Sequence, residues 1–436
     1  MKKTFTILSS ILALLLIATV CPAQTGVWQE LKPQNSPPAR HSFGMAEIGE
    51  GKAIIFGGDN GHNVLDETWI YDINENTWTE IKCDKHPAAR SDLMMSRITK
   101  NKVLLYGGWI DGSHYFSDTW IFDLETLTWT EFTFNTLPLI SVEGRRNTGF
   151  AQLSDNKVIL FGGETVGANY ANDIWVFDLN DTSWSYVNTD INSRPIKCSN
   201  LLMAQIDTGK VLIYGGWHYD ILDQTWLFDY NLKKWIRITP ENSPPPNKSS
   251  SMAKIGKNQV VFWGGDPNGW GQYNELWLFD LKDSLWKKIE TSIKPDGRRF
   301  HRIVNIKNNK ILLFGGLNAH ESIYHNDSWL LSFESNDIID NLSKDTNIQN
   351  SFLIQNDKAH IHTNLIGFCN YKLYDIYGKV LKECSQAGAW EQERAGAWEQ
   401  ESSSFDIDAT DLSNGVYFLV VQGRNKREVF RLMIAK

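Results

Sequence analysis

Residues Lys102–Trp129 read KVLLYGGWIDGSHYFSDTWIFDLETLTW. An apolar run ends in Gly107-Gly108, and a polar loop follows. Trp120 then precedes Asp123 by three residues, and a second tryptophan, Trp129, stands nine residues after the first. The same pattern recurs on both sides of this stretch. Glycine pairs fall at Gly57-Gly58, Gly107-Gly108, Gly162-Gly163, Gly215-Gly216, Gly264-Gly265 and Gly315-Gly316, at intervals of 50, 55, 53, 49 and 51 residues. Each pair follows an aromatic residue: Phe56, Tyr106, Phe161, Tyr214, Trp263 or Phe314.

A period near fifty in strand-forming sequence implies a β-propeller with one four-stranded blade per repeat. Four strands, A to D, are legible within each repeat. Strand A is short and alternating, as in residues 43–48. Strand B is a continuous apolar run, as in KVILF at 157–161, which implies cover on both faces. Strand C carries Trp69, Trp120, Trp175, Trp226, Trp277 or Trp329, and in five repeats an Asp follows three residues later: Asp72, Asp123, Asp178, Asp229 or Asp280. Such an Asp suits the start of a turn, because its carboxylate can accept from the backbone two residues on. Strand D carries Trp78, Trp129, Trp184, Trp235 or Trp286. Large flat rings at fixed offsets suit the wedge between blades, and paired glycines let a neighbouring segment approach closely.

The sixth repeat breaks the rule: Ile338 stands nine residues after Trp329. Trp28, however, precedes Arg40 by 12 residues, just as Trp78 precedes Arg90 by 12. The N-terminal segment is therefore expected to supply strand D of the last blade and to close the ring. The Gly pair followed by two spaced aromatics resembles the kelch repeat over residues 27–333. The resemblance implies an all-β fold: a six-bladed kelch β-propeller closed by its N-terminal strand, spanning 24–333. It also implies that the D–A and B–C loops share one face.

The chain begins MKK, continues with an apolar run from Ile7 to Val20, and then reads Cys21-Pro-Ala23. These features predict a secretory signal peptide over 1–23, and no later stretch is long and apolar enough to span a bilayer. Of the remaining cysteines, Cys83 and Cys198 fall in different repeats and are expected unpaired, whereas Cys369 and Cys384 flank a predicted hairpin and could pair. The net charge is −8, or −10 without Lys2 and Lys3, which argues against a general nucleic-acid or membrane-surface binder.

Residues 334–360 are polar and lack tryptophan, and read as a linker. Residues 361–436 alternate as short strands broken at Tyr377-Gly378 and Asn414-Gly415, which predicts a small antiparallel β-sandwich. The stretches LYDIYGKVL and DLSNGVYFLV, with a final strand ending at Lys436, resemble the C-terminal sorting domain of the type IX secretion route of Bacteroidota. That resemblance implies the secretion machinery as a partner and an extracellular or cell-surface location. The tandem AGAWEQER–AGAWEQES at 387–402 reads as a loop expansion.

Function is sought on the shared loop face. A cation precedes each strand A: Arg40, Arg90, Arg146, Lys197, Lys248 and Arg299. Each Gly pair is followed by Asp59, Trp109, Glu164, Trp217, Asp266 or Leu317. The loops also hold His41, His62, His86, His114, His218, His301, His320 and His325. Guanidinium forks grip carboxylates, and tryptophan faces suit apolar side chains or sugar rings. The first five of those post-glycine residues and the six cations are thus the candidate ligand-binding set, for a protein or glycan ligand. The plainer alternative is that the cations pair with Asp59, Glu164 and Asp266 to hold the blades. Within the repeats no His-x-His or His-Glu-x-x-His spacing appears and no phosphate loop enters a helix, so neither metal nor cofactor is expected. The competing functional reading is a carbohydrate-active enzyme, such as an acidic-sugar mutarotase or a lyase, with Glu164, His218 or Arg146 as acid/base.

Overall fold

The strand-D tryptophans show how the blades are joined. The computed structural model describes residues 26–112, 114–132, 142–269 and 273–333, together with the strands of a second unit between 351 and 434. Trp129 Nε1 donates to Thr68 Oγ1 of the preceding blade at 2.9 Å, and Trp78, Trp184 and Trp286 make the same bond to Ser328, Thr119 and Thr225. All four indoles are buried. Each removes on the order of 200 Å² from water, worth roughly 5 kcal/mol before the cost of ordering.

The unit Thr25–Phe333 is an all-β propeller. Six four-stranded antiparallel sheets are present among the described residues. The blade around Lys102–Trp129 is typical: A, Met94–Thr99; B, Lys102–Tyr106; C, Thr119–Asp123; D, Thr128–Phe132. The six inner strands are Gly44–Glu47, Met94–Thr99, Gly149–Ser154, Leu202–Asp207, Ser251–Ile255 and Arg302–Lys307. Each neighbours the next, and the last neighbours the first. The N-terminal strand Gly26–Leu31 pairs antiparallel with Ser328–Phe333, placing Trp28 opposite Leu331. Trp28 is buried against Trp263, their ring centroids 5.7 Å apart. The chain's first described strand thus completes its last blade.

The turn aspartates act as their position suggests. Asp72, Asp123, Asp178, Asp229 and Asp280 each accept from the backbone two residues on, at 2.8 to 3.0 Å. In the first four, the second carboxylate oxygen pairs with the lysine that opens strand B: Lys52, Lys102, Lys157 or Lys210. In the fifth, Gln259 takes that role.

Two sets of backbone bonds run round the ring. The second glycine of each pair donates to the D–A loop of the next blade, from Gly58 to Arg90 O at 2.9 Å through to Gly316 to Arg40 O at 2.9 Å. The glycines are required by this approach: both have positive φ, and a Cβ on Gly107 would lie 2.4 Å from Arg145 O. Two residues before the start of each inner strand, a further circle closes. Asp92 N donates to Ser42 O, Asn147 to Asp92, Asn200 to Asn147, Ser249 to Asn200, Phe300 to Ser249, and Ser42 to Phe300, all at 2.7 to 3.0 Å. These residues share a left-handed backbone, with φ of 53 to 58°.

The second unit contains a five-stranded sheet and a two-stranded one. The strand Ser351–Ile354 and the first half of Lys358–Thr363 lie within 334–360, the segment whose polar composition predicts a linker. Their alternation is short and easily read as polar chain. Ser351–Ile354 pairs parallel with the last strand, Arg427–Ile434, so the sheet is mixed rather than purely antiparallel. Leu373 and Leu419 sit opposite one another and are fully buried. The expected leader at 1–23, the octamer repeat and Cys369 lie outside the described residues, as does the side chain of Cys384. Cys83 and Cys198 are free thiols.

Candidate functional site

The candidate cations divide into two structural positions. Arg40 and Arg90 are fully buried and do not reach the loop surface. Arg90 donates to Gly107 O at 3.2 Å and grips Asp118 bidentately at 2.5 and 2.8 Å. Arg40 donates to Gly57 O at 3.1 Å and to a single carboxylate oxygen of Glu67. Their equivalents elsewhere are Arg145 with Asp173 and Arg298 with Asp327. Each of these carboxylates also accepts from the strand-C tryptophan two residues on, as Asp173 does from Trp175 at 2.7 Å. Burial opposes ionisation of Asp173 and Asp327, but their arginines hold both below the usual carboxylate range. These four groups are blade hubs, so Arg40 and Arg90 leave the binding set.

Arg146 and Arg299 stand one residue after their hub arginines, and Lys248 one after Asn247 in the same position. Their side chains are half-buried rather than enclosed. The hub lies 17 residues before the first glycine in every repeat, a spacing that would have separated the two positions. Lys197 precedes Cys198, the hub equivalent of its blade, and is exposed outside the cluster. The carboxylates two residues before Trp69, Trp120, Trp175 and Trp329 were legible as an acid-x-Trp motif but were not singled out.

The remaining candidates do meet. Position by position, the residue after each hub bridges the residue after each Gly pair: His41 with Asp59, Ser91 with Trp109, Arg146 with Glu164, Ser199 with Trp217, and Arg299 with Leu317. Asp266 N donates to Lys248 O at 2.9 Å. The D–A and B–C loops therefore share one face.

Three sectors are built on this frame. In the first, Arg146 sits between Glu164 at 2.8 Å and Asp92 at 3.4 Å, with its guanidinium 4.9 Å from the Trp109 ring centroid. Tyr115 donates to Glu164 at 2.8 Å. Burial alone would lower the Arg146 pKa, but Glu164 and Asp92 more than offset it. Burial, then the bond to Glu164, pushes the Tyr115 phenol up. In the second sector, Lys248 Nζ lies 3.9 Å over the Trp217 ring, and Trp217 Nε1 donates to Tyr170 at 3.1 Å. Burial lowers Lys248, Asp266 opposes that, and Arg299 reinforces it. His218 and Tyr219 pack beside Tyr170, and Tyr219 is 82% exposed. In the third, Arg299 pairs with buried Asp266 at 2.7 Å, and His41 packs between Phe300 and Tyr324. Asp59 accepts from Gly61 N at 2.6 Å, fixing its own loop. The blade-holding alternative is thus realised for Glu164 and Asp266, while Trp109 and Trp217 are half-buried.

The histidines do not act as one group. His62 and His114 are exposed, and His86 bonds Pro87 O at 2.9 Å. His320 lies on the loop after Asn318. His301 is wholly buried beside Trp263, and His325 lies 3.9 Å from the hub carboxylate Asp327. Among the described residues no three His, Cys, Asp or Glu side chains are placed to hold a metal ion, and no helix is long and apolar enough to cross a membrane. Tyr219, Tyr170, Tyr115 and Tyr324 are loop-face aromatics outside the sequence-derived set. No spacing marks them, because B–C loops differ in length between repeats.

Comparison with known proteins agrees with this architecture. The chain is 23% identical over 318 residues to the F-box/kelch-repeat protein At1g51550 of Arabidopsis thaliana, covering 64% of this chain and 66% of that protein. It is 26% identical over 199 residues to Adagio-like protein 1 of Oryza sativa subsp. japonica, covering 44% and 31%. It is 23% identical over 298 residues to the Leucine-zipper-like transcriptional regulator 1 homolog of Drosophila melanogaster, covering 65% and 30%. The chain thus spans from about a third to two thirds of the length of these relatives. The profile of the KLHDC2/KLHL20/DRC7 Kelch-repeats domain matches residues 14–146 and 150–339. With its Gly pairs, its two spaced tryptophans per blade and this match over most of its length, the chain belongs to the kelch-repeat family.

Proposed function

We propose that the propeller is a protein-binding module and that its partner docks on the D–A/B–C loop face. The observation that carries this reading is the second sector. Tyr219 projects almost fully into solvent beside Trp217, Tyr170 and the cation Lys248. Tyrosine, tryptophan and arginine are the residues that anchor protein interfaces, and Arg146 and Lys248 add donors for acidic or carbonyl groups. The kelch relatives support a protein rather than a glycan ligand. Export by a signal peptide at 1–23 and a sorting segment at 361–436 belongs to the same reading. It rests on the sequence resemblance, and the glycan ligand and the sugar-active enzyme are its competitors.

The test uses the full chain, immobilised, against a random-peptide display library and, in parallel, a glycan array. Enriched peptides that bind wild type but not Tyr219→Ala or Trp109→Ala/Trp217→Ala support the reading. Saturable glycan capture with no peptide enrichment would replace it. Turnover of an acidic sugar, followed by NMR and lost in Glu164→Gln, would favour the enzyme.

A further inference from the structure

The axis of the ring holds a cavity of about 400 Å³, lined by all six inner strands. It extends to Gly256 and the exposed Asn309, in the A–B turns, and so opens away from the loop face. A space of this size suits a small molecule rather than a folded partner.

Its charge is unusual for an acidic chain. Four charged residues line it: Glu47, Arg97, Lys254 and Arg302. Glu47 and Arg97 neutralise one another at 3.0 Å. Arg302 and Lys254 have no ion pair among the described residues. Arg302 Nε donates to Phe43 O at 2.9 Å, and Nη2 meets only the Met94 sulfur at 3.6 Å. Burial pulls the Arg302 guanidinium down to about 10, partly offset by Asp92. Burial also lowers Lys254, with Asp207 in opposition. Both side chains are half-buried, and a partly desolvated cation without a counter-charge carries a cost that an anion entering the cavity would relieve.

The register sets Arg302 apart from every other inner strand. Where Arg302 stands, the other inner strands carry Gly44, Met94, Gly149, Leu202 and Ser251. Where Lys254 stands, the others carry Glu47, Arg97, Gln152, Gln205 and Asn305, and of the two cations at this level Arg97 is paired with Glu47 while Lys254, among the described residues, is not. Lys254 lies three residues further along its strand than the level of Arg302, about 10 Å toward the open end. Five of the chain's seven methionines, Met45, Met94, Met95, Met203 and Met252, also line the space. Thioethers are polarisable and deformable, and they accommodate apolar bodies of varied shape.

We propose that this axial cavity binds a small organic dianion, one acidic group gripped by Arg302 and the other drawn to Lys254, its apolar body against the methionines. The site is independent of the loop face and of its protein ligand.

The full chain is titrated calorimetrically with malonate, succinate, glutarate and adipate, and with butyrate at matched ionic strength. At least one dicarboxylate is expected to bind saturably, about tenfold or more tighter than butyrate, as one added ion pair provides. Arg302→Met places the residue of the second blade at this register and abolishes binding. Lys254→Gln places that of the third and fourth, and reduces dicarboxylate affinity to the butyrate level. Tyr219→Ala leaves binding unchanged. No saturable binding of any of the four, or an Arg302→Met chain that binds as wild type, overturns the proposal. Should Arg302→Met fail to fold, an unchanged preference for the dicarboxylate in Lys254→Gln overturns it equally.

Discussion

Trp286 Nε1 donates to Thr225 Oγ1 at 3.0 Å across the boundary between two blades, and both residues are buried. The residue before the strand-C tryptophan supplies this acceptor in four blades, as Thr68, Thr119, Thr225 or Ser328. In the other two it is Ile174 or Leu276, and there Trp235 and Trp28 keep an unpartnered indole N–H. Thr225→Val should therefore cost about 1–3 kcal/mol, the penalty of a buried donor left unpaired. Ile174→Thr should cost less than a usual core truncation, because it gives Trp235 an acceptor. Denaturant midpoints of the two variants check this, and a Thr225→Val chain as stable as wild type would contradict it.

Ring closure rests on Trp28. Its indole is 2% exposed and packs on Trp263, and its strand pairs with Ser328–Phe333. Trp28→Ala should lose about 3–5 kcal/mol. Deletion of residues 26–31 should lower the melting temperature of the whole ring, since it exposes an open strand edge. Unchanged melting of either variant would show that the ring does not depend on its first strand.

Arg90 and Lys197 looked equivalent in the sequence and are not. Arg90→Met removes the partner of Asp118 and of Gly107 O and should cost on the order of 3 kcal/mol. Lys197 is exposed, so Lys197→Met should change stability by less than about 0.5 kcal/mol. Equal effects in urea denaturation would refute the division into hub and surface positions.

The difference between legible and illegible features is one of range. The Gly pairs, the two tryptophans and the turn aspartates act within a hairpin or against the adjacent blade, so their spacing recurs and can be read. Trp28 could be placed for the same reason. The loop face was harder. Arg145-Arg146 and Arg298-Arg299 are adjacent pairs in which one side chain is buried and the other faces outward, and only the partner carboxylate decides which. Tyr219 and Tyr170 meet across loops that share no repeat spacing. The cavity cations Arg302 and Lys254 carry no motif at all. They matter because six separate strands converge on one axis.

Buried histidines should make the ring acid-sensitive. Burial, then Arg298 and Arg302, hold His301 down to about 3, and burial with Arg298 holds His325 down to about 4. Both are neutral in the fold, whereas the unfolded chain takes up protons below about 6.5. Their contribution is therefore complete above pH 6.5 and is lost as pH falls toward the folded values. Glu47, pushed up by burial, works in the opposite direction. The urea midpoint should fall between pH 7 and 5, and His301→Leu, which places the residue found at Leu93 and Leu201, should flatten that fall. A midpoint independent of pH over this interval would exclude the effect.

The loop face as the partner surface is tested most directly by the affinity of a display-selected peptide for wild type and for Tyr219→Ala. Tyr219 is exposed, so its removal should leave melting unchanged. A loss of about tenfold or more is expected, the scale of an interface anchor. Equal affinity for the two chains would remove the partner from the loop face, and loss of the same peptide on Arg302→Met would place it in the axial cavity.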